Sequence, residues 1–251
     1  MTIDHPNRLL QAARAFATAT LLVTIGCAGA GTPKPATAPT PAAAAALPDE
    51  VRWVAESAEY VAASYQAFAV ATKRAEFFAT QHSRGTWAVA LDCDETVISN
   101  IQHEIEMAEA GTVYHDTSWR SWVARRAATA MPGAREFLDR VHELGGLVVF
   151  VTNRGEEERE DTAANLKAIG LPYDLLLLRG KGESRKEGRW DAVEAGTAGL
   201  PPTDIVMWVG DNIRDFPDLD QPLRKEPMSA FSAFGDSFIL LPNPLYGSWK
   251  D

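Results

Sequence analysis

The sequence predicts an α/β protein in which a parallel sheet is flanked by helices. Two observations support this prediction: short apolar runs alternate with windows of helical periodicity from residue 50 onwards, and polar residues follow the end of most runs. Short apolar runs are typical of strands buried on both faces, and strands that alternate with helices form parallel sheets. Such sheets bind ligands at the carboxyl ends of their strands, so the polar residues there are the candidates for a functional site.

The first 27 residues are predicted to be an export signal. Arg8 and Arg14 precede an apolar run over residues 15–26, and Cys27 follows it. The run is too short for a membrane-spanning helix. Its end resembles the lipobox of bacterial lipoproteins, which implies a lipid on Cys27 and a membrane-anchored protein on the cell surface or in the periplasm. Ordinary cleavage after one of residues 28–31 is the alternative.

Residues 28–48 consist almost entirely of Ala, Pro, Thr and Gly. Such a segment has too little apolar bulk to fold, so it is predicted to be a tether. The folded domain is expected over residues 49–251.

Apolar spacing of three and four residues predicts one helix over residues 50–82, possibly broken once. Further strands and helices then alternate. The predicted strands are 87–91, 147–151, 175–178, 205–209 and 238–241, and the predicted helices are 136–144, 156–169 and 186–195. Residues 97–131 interrupt this alternation and are expected to form a helical insertion that packs over the sheet edge.

The formal net charge is −10. This argues against a nucleic-acid polymer as the main partner, because nucleic acids bind clustered Lys and Arg. An anionic substrate would also need a local cation to offset the acidic surface. The two cysteines, Cys27 and Cys93, are not expected to form a disulfide, because the first lies in the leader.

The first polar cluster follows the predicted strand 87–91. Asp92 and Asp94 are two positions apart, so both carboxylates can face one cleft. Crowded carboxylates do not both ionise easily, and this can separate a nucleophile from a proton donor. A calcium-binding loop is excluded, because its sixth and twelfth positions would be Val97 and His103 instead of Gly and Glu.

Three more clusters follow later strands. Thr152 and Asn153 end the strand 147–151 before a helix, where hydroxyl, amide and backbone N–H groups suit a phosphate oxygen. A group of basic residues follows 175–178 and can supply a cation. Asp211 and Asp215 follow 205–209, and carboxylates are ligands that Mg²⁺ accepts. Each cluster alone has an ordinary structural explanation, but their order along the chain does not.

Together these clusters resemble the motifs of the haloacid dehalogenase (HAD) superfamily of phosphohydrolases. The matching residues are, in motif order, Asp92, Asp94 and Thr96, then Thr152, then Asp211 and Asp215. Residues 94–100, 151–154, 210–216 and 241–247 resemble more narrowly the class C nonspecific acid phosphatases, bacterial surface lipoproteins that often act as 5′-nucleotidases. The resemblance covers about residues 50–251. It implies a Rossmann-like HAD core and a small helical subdomain made by the N-terminal helix and the insertion.

The resemblance also implies a mechanism. Asp92 attacks phosphorus and forms an aspartyl-phosphate, while Asp94 protonates the leaving oxygen and then activates water. The cofactor is Mg²⁺, held by the Asp92 carboxylate, the Asp94 backbone carbonyl and Asp211, with Asp215 orienting this metal site.

The implied phosphate-binding residues are Thr152, Asn153 and Lys186. Lys186 corresponds to the lysine of the family's third motif because the segment 186–190 fits its Lys-x-x-Arg-aromatic pattern, and Lys181 is the alternative. His103, where the family usually has Tyr, and Tyr246 are candidate substrate contacts; a surface or packing role is the alternative for His103.

The predicted function is hydrolysis of small phosphomonoesters such as nucleoside monophosphates or aryl phosphates. Two alternatives remain open at this point: a phosphotransferase that uses the same intermediate, and a surface lipoprotein that binds metal or ligand without catalysis. The preferred ester and the oligomeric state are left open.

Overall fold

The structure is a computed structural model that describes residues 46–183 and 185–250. Its α-helices are α1 (Asp49–Glu56), α2 (Ala58–Phe78), α3 (Ile101–Ala110), α4 (Asp116–Arg125), α5 (Ala134–Leu144), α6 (Arg159–Ala168) and α7 (Glu187–Glu194). Its strands are β1 (Trp87–Leu91), β2 (Ile98–Ser99), β3 (Thr129–Ala130), β4 (Leu147–Gly155), β5 (Leu175–Arg179), β6 (Asp204–Gly210) and β7 (Phe238–Leu240). Short 3₁₀ turns lie at Glu156–Glu158, Ile213–Asp215, Gln221–Lys225, Met228–Phe231 and Ser248–Lys250.

The main sheet has five parallel strands in the order β5-β4-β1-β6-β7. The chain builds outward from β1 through β4 to β5 and then crosses to β6 and β7 on the other side. The strand order therefore reverses beside β1, which is where open α/β sheets form their ligand crevice. The predicted α/β fold with a parallel sheet is confirmed.

The central strand β1 is buried on both faces because helices cover the sheet from both sides. Trp87, Val89 and Leu91 belong to the larger core, to which α2 and α5 also contribute, whereas Ala88 and Ala90 pack with Trp190 of α7. Burial of apolar surface contributes about 25 cal/mol per Å², so these two layers supply much of the driving force for folding. They also hold the end of β1, and hence Asp92, in a fixed position.

The helix predicted over residues 50–82 is broken once, at Ser57. Ser57 has an extended backbone, with φ −84° and ψ 138°, and its hydroxyl accepts a hydrogen bond from the backbone N–H of Tyr60. This is the usual N-cap arrangement, and it starts α2 as a separate helix. The break lets α1 contact α3 of the insertion while α2 packs on α5.

The insertion contains α3 and α4, as predicted, and also a two-stranded antiparallel sheet. Ile98 of β2 pairs with Ala130 of β3, and Ser99 pairs with Thr129. Two-residue strands are too short to show an alternating pattern, so the sequence analysis missed them. This small sheet joins the two ends of the insertion, and α4 packs against α6 of the main domain.

Within residues 46–183 and 185–250, no helix combines the length and the apolar character needed to cross a lipid bilayer. The predicted export signal, Cys27 and most of the predicted tether lie outside the described residues.

Candidate active site

A cavity of about 850 Å³ opens at the carboxyl ends of β1, β4 and β6. Its floor comes from these strand ends, one wall from α3 and α4 of the insertion, and another wall from the C-terminal segment. Seven of the predicted site residues line it: Asp92, Asp94, Asn153, Lys186, Asp211, Asp215 and Tyr246. Residues from five separate stretches of chain therefore meet in one crevice.

Lys186 lies between two carboxylates at the base of the cavity. Its Nζ donates to Asp92 Oδ1 at 2.5 Å and lies 2.7 Å from Asp215 Oδ1, and its side chain is only 2% exposed. Burial lowers the pKa of Lys186, but the Asp215 and Asp92 carboxylates raise it more, so it lies above its ordinary value. Lys186 therefore remains a cation at the base of an acidic site.

Burial raises the pKa of Asp92 to about 7, although the Lys186 ammonium lowers it. The nearby carboxylates of Asp215 and Asp94 act in the same direction as burial. A carboxylate in this position needs positive charge next to it to stay ionised at neutral pH, and Lys186 supplies part of that charge.

Asp94 is held by Arg154. Arg154 Nε lies 3.1 Å from both carboxylate oxygens, and its Nη2 donates to Oδ1 at 2.7 Å. The spacing of Asp92 and Asp94 in the sequence predicts that repulsion between them separates their roles. In the structure the Asp94 charge does contribute to the raised pKa of Asp92, and each carboxylate also contacts a different cation, Lys186 for Asp92 and Arg154 for Asp94.

Three carboxylates form a group that fits a divalent cation. Oxygen atoms of Asp92, Asp211 and Asp215 lie within 4.8 Å of one another. Burial, followed by the charges of Asp215 and Asp92, raises the pKa of Asp211 well above its ordinary value. Mg²⁺ accepts carboxylate oxygens and keeps positions for water and phosphate, so this donor set suits it.

The Asp211 carboxylate is oriented from two sides. Thr96 Oγ1 donates to Oδ1 at 3.1 Å, and Asn243 Nδ2 donates to Oδ2 at 2.7 Å. Asp215 has both oxygens engaged, by Lys186 and by the backbone N–H of Asn212 at 2.9 Å. The two carboxylates differ in the charge of their partners, since Asp211 is held by two neutral donors whereas Asp215 pairs with the Lys186 cation.

The predicted phosphate-binding residues behave differently from one another. Asn153 lines the cavity, and its amide oxygen accepts from Arg189 Nη2 at 2.9 Å, which leaves the amide N–H groups to face a ligand. Thr152 is fully buried and is not among the lining residues. Its hydroxyl oxygen accepts from the backbone N–H of Arg154 at 3.1 Å, and its carbonyl accepts from Arg189. Lys186 reaches the cavity, whereas Lys181 is exposed.

The two predicted substrate contacts, Tyr246 and His103, also differ in whether they reach the cavity. Tyr246 lines the cavity, and its hydroxyl is buried without a hydrogen-bond partner among the described residues. His103 is 4% exposed and packs between Trp119 and Trp122, with ring centroids 5.8 Å apart in both cases. It is not a lining residue, so its placement in the structure argues against the predicted substrate contact and favours the packing alternative, because two indole rings enclose it.

Sequence reasoning assigned no role to three residues that hold the site together: Arg154 on Asp94, Asn243 on Asp211, and Asn100, which also donates to Asp94. Arg154 directly follows the predicted strand end and the Thr152-Asn153 pair, and this position in the sequence indicates that Arg154 lies at the site. Asn100 and Asn243 lie beyond the strand ends, and no pattern in the sequence indicates which carboxylate they contact.

Comparison with known proteins gives a family match and several relatives. Residues 34–249 match the family model described as HAD superfamily, subfamily IIIB (acid phosphatase). The class C acid phosphatase of Bacillus anthracis with tungstate bound has a TM-score of 0.73 and 28% sequence identity, over 80% of this chain and 85% of that chain. A second structure of the Bacillus anthracis enzyme gives a TM-score of 0.72 with 27% identity over the same shares.

Two curated plant proteins are also similar. Acid phosphatase 1 of Solanum lycopersicum is 30% identical over 104 residues, which are 41% of this chain and 40% of that protein. A stem 31 kDa glycoprotein of Glycine max is 29% identical over 87 residues, or 34% of each chain. The matched part therefore spans less than half the length of these curated relatives.

Proposed function

Because the chain belongs to subfamily IIIB of the HAD superfamily, the acid phosphatases, we propose that it is a Mg²⁺-dependent phosphomonoesterase with Asp92 as its nucleophile. The observation that carries this proposal is the contact between Lys186 Nζ and Asp92 Oδ1 at 2.5 Å. It puts a buried cation directly beside a buried carboxylate at the ligand crevice of the sheet. A binding site for metal alone does not need that cation, whereas attack by a carboxylate on an anionic phosphate does.

In the first step, an oxygen of Asp92 attacks phosphorus as the bond from phosphorus to the ester oxygen breaks. Asp94 donates a proton to that leaving oxygen, so the product alcohol departs neutral. Lys186 and the amide of Asn153 bind and orient the phosphoryl oxygens. The product on the protein is an aspartyl-phosphate at Asp92.

In the second step, Asp94, now ionised, takes a proton from water as the water oxygen attacks phosphorus. The bond between phosphorus and Asp92 breaks, which releases inorganic phosphate and restores both aspartates to their starting states. Arg154 keeps Asp94 within reach of the same reacting centre in both steps. A Mg²⁺ ion on Asp92, the Asp94 carbonyl and Asp211 would offset the negative charge shared by nucleophile and phosphate.

The substrate is proposed to be a small phosphomonoester, such as a nucleoside monophosphate or an aryl phosphate. The Bacillus anthracis relative was solved with tungstate, an oxyanion with the tetrahedral shape of phosphate. A cavity of about 850 Å³ has room for a phosphoryl group and an organic group of this size. The aromatic rings of Trp119 and Tyr246 line the part of the wall that an organic group would meet.

The proposal includes export and a lipid anchor on Cys27. A lipid-anchored phosphatase would hydrolyse esters outside the cytoplasm, and the Ala/Pro/Thr-rich residues 28–48 would hold the domain away from the membrane. Cys27→Ser should release the protein from the membrane fraction into the soluble fraction. Unchanged membrane association of this variant would contradict the lipid anchor without affecting the proposed chemistry.

The central test measures phosphate release from phenyl phosphate with and without Mg²⁺. Asp92→Asn should lower the rate by at least about 10³-fold, because the variant lacks the nucleophile. Asp191→Asn is the matched control, since Asp191 is an exposed aspartate on α7, and it should keep wild-type activity. Retention of most activity by Asp92→Asn would contradict the covalent mechanism.

Two further results would separate the alternatives. Mg²⁺ binding without turnover of any phosphomonoester would indicate a non-catalytic binder. Formation of phosphorylated products when alcohols are added would indicate a phosphotransferase.

A further inference from the structure

Asn100 occupies the centre of a buried hydrogen-bond network next to the cavity. It is fully buried, and its side-chain amide donates to Asp94 Oδ1 at 2.8 Å and to Glu95 Oε2 at 3.2 Å. Its amide oxygen accepts from Trp122 Nε1 at 2.8 Å, and its backbone N–H donates to Glu95 Oε1 at 2.6 Å. The mechanism proposed above gives Asn100 no role.

The orientation of the Asn100 amide is fixed by its partners. An indole N–H only donates, so the Asn100 oxygen must face Trp122 and its NH₂ group must face the two carboxylates. Glu95 holds the backbone of Asn100 as well as its amide, and it does so from a backbone with a positive φ of 52°. A non-glycine residue adopts such a conformation only when its surroundings compensate for the strain. The network therefore holds Asn100 rigidly.

The two oxygens of Asp94 are unequally engaged. Oδ1 accepts from Asn100 Nδ2 and from both Nε and Nη2 of Arg154, whereas Oδ2 accepts only from Arg154 Nε, at 3.1 Å, among the described residues. Asp94 also lines the cavity, with its side chain 16% exposed. Oδ1 is thus the anchored oxygen, and Oδ2 is the oxygen with capacity left for a proton.

We propose that Asn100 is a positioning residue for proton transfer by Asp94. By anchoring Oδ1, it leaves Oδ2 to carry the proton to the ester oxygen as the bond to phosphorus breaks. This inference rests on the proposed function, in which Asp94 is the proton donor. Arg154 holds Oδ1 through its Nη2 at 2.7 Å, and Asn100 donates to the same oxygen from the start of α3 at 2.8 Å. The two donors together keep the carboxylate from rotating, because its rotation would break both hydrogen bonds.

The network also connects Asp94 to the insertion. Trp122 belongs to α4, and Trp119 and Arg120 of the same helix line the cavity where the organic group of a substrate would lie. A shift of α4 would therefore move the Trp122–Asn100 hydrogen bond and, through it, the reactive oxygen of Asp94. Through this connection, contact with the leaving group would be coupled to the residue that protonates it.

A series of aryl phosphates tests the proposal, because leaving groups differ in their need for a proton. Dinitrophenolate departs without protonation, whereas phenolate does not. The measurement is kcat/KM with saturating Mg²⁺, which reports the steps up to formation of the aspartyl-phosphate. Asn100→Ala should lower kcat/KM for phenyl phosphate by about 10- to 100-fold and for dinitrophenyl phosphate by about threefold or less, within the range of general acid catalysis.

Asn165→Ala is the matched control. Asn165 is also buried; its side chain donates to the backbone carbonyl of Ala128 and accepts from the backbone N–H of Ala128, so both hydrogen bonds lie outside the site. Asn165→Ala should lower the free energy of unfolding, and any change in kcat/KM should be the same for phenyl phosphate and dinitrophenyl phosphate. An equal loss for both substrates in Asn100→Ala, or a selective loss in Asn165→Ala, would overturn the proposal.

If Asn100→Ala does not fold, Trp122→Phe provides the second variant, because it keeps an aromatic ring at this position and removes the indole donor to Asn100. It should show a smaller loss that is again selective for phenyl phosphate; an equal loss for both substrates would overturn the proposal. Asp94→Asn distinguishes a failure of the proposed function from a failure of the inference about Asn100. If Asp94→Asn lowers kcat/KM mainly for phenyl phosphate and Asn100→Ala lowers it equally for both substrates, the inference about Asn100 fails while the proposed function stands. If Asp94→Asn lowers kcat/KM equally for both substrates, both the role of Asp94 as proton donor and the inference about Asn100 fail.

Discussion

Lys186 donates a 2.5 Å hydrogen bond to Asp92, a residue 94 positions earlier in the chain, and both side chains are almost withdrawn from water. The same ammonium lies 2.7 Å from Asp215. One buried cation therefore pairs with two carboxylates, and no other ion pair to Asp92 or Asp215 is present in residues 46–183 and 185–250. The stability of the folded domain and the chemistry of its cavity depend on the same side chain.

Lys186→Met should destabilise the domain by about 3–5 kcal/mol, the usual cost of leaving buried charges without their partner. The measurement is urea unfolding without added metal. The matched control is Lys181→Met, which changes an exposed lysine nearby and should alter the free energy of unfolding by no more than about 0.5 kcal/mol. Equal effects of the two substitutions would show that the Lys186 contacts contribute little.

Gly210→Ala should disturb the metal-binding carboxylates. A Cβ at this position would clash with the Cβ and carboxylate atoms of Asp215. We expect kcat/KM for phenyl phosphate to fall by about tenfold or more, because small displacements of catalytic groups are costly. Gly188→Ala is the control: a Cβ there meets no atom within 4 Å, and the residue lies in α7. It should keep full activity and gain up to about 1 kcal/mol of stability. Full activity of Gly210→Ala would contradict this prediction.

Asn243→Ala should weaken Mg²⁺ binding. The substitution removes the 2.7 Å hydrogen bond that orients Asp211, and loss of such a partner usually costs about 10- to 100-fold in metal affinity. Isothermal titration calorimetry of the protein with Mg²⁺ alone gives the affinity independently of turnover. An unchanged dissociation constant would show that Asp211 needs no support from the C-terminal segment.

His103 should make the stability of the domain depend on pH. Burial, followed by the charge of Arg125, lowers its pKa below the usual 6.5, although Glu106 opposes this effect. Between the lowered value and 6.5 the unfolded chain binds a proton that the folded protein does not, so stability falls as the pH falls through 6.5. His103→Phe should remove this contribution. The difference in melting temperature between wild type and variant should change between pH 7.5 and pH 5; parallel curves would contradict the prediction.

The sequence predicted the strands of the main sheet because each is an apolar run bounded by polar residues. The end of β1 is an example: Trp87–Leu91 is entirely buried, and Asp92 follows at once. The two strands of the insertion escaped prediction because each has only two residues and because Ile98–Ser99 and Thr129–Ala130 are separated by 29 residues in the chain.

The carboxylates of the site could also be predicted, because their spacing after the strands is regular. Their partners could not. Arg154 on Asp94 and Asn243 on Asp211 depend on which strands are neighbours and on how the C-terminal segment returns over the sheet. His103 shows the opposite case: it lies just beyond the first motif and is a candidate substrate contact by sequence, but the folding of α3 and α4 encloses it between Trp119 and Trp122.

The two hydrogen bonds that orient Asp211 come from distant parts of the chain, which affects when the site can form during synthesis. Thr96 lies 115 residues before Asp211, and Asn243 lies 32 residues after it. During translation, the N-terminal part of a chain emerges and begins to fold first. A nascent chain that ends before residue 243 already contains Asp92, Asp94 and Lys186, yet it lacks one of the two donors that orient Asp211. The site that orients Asp211 from both sides can therefore form only after residue 243 has been synthesised and has reached the end of β6.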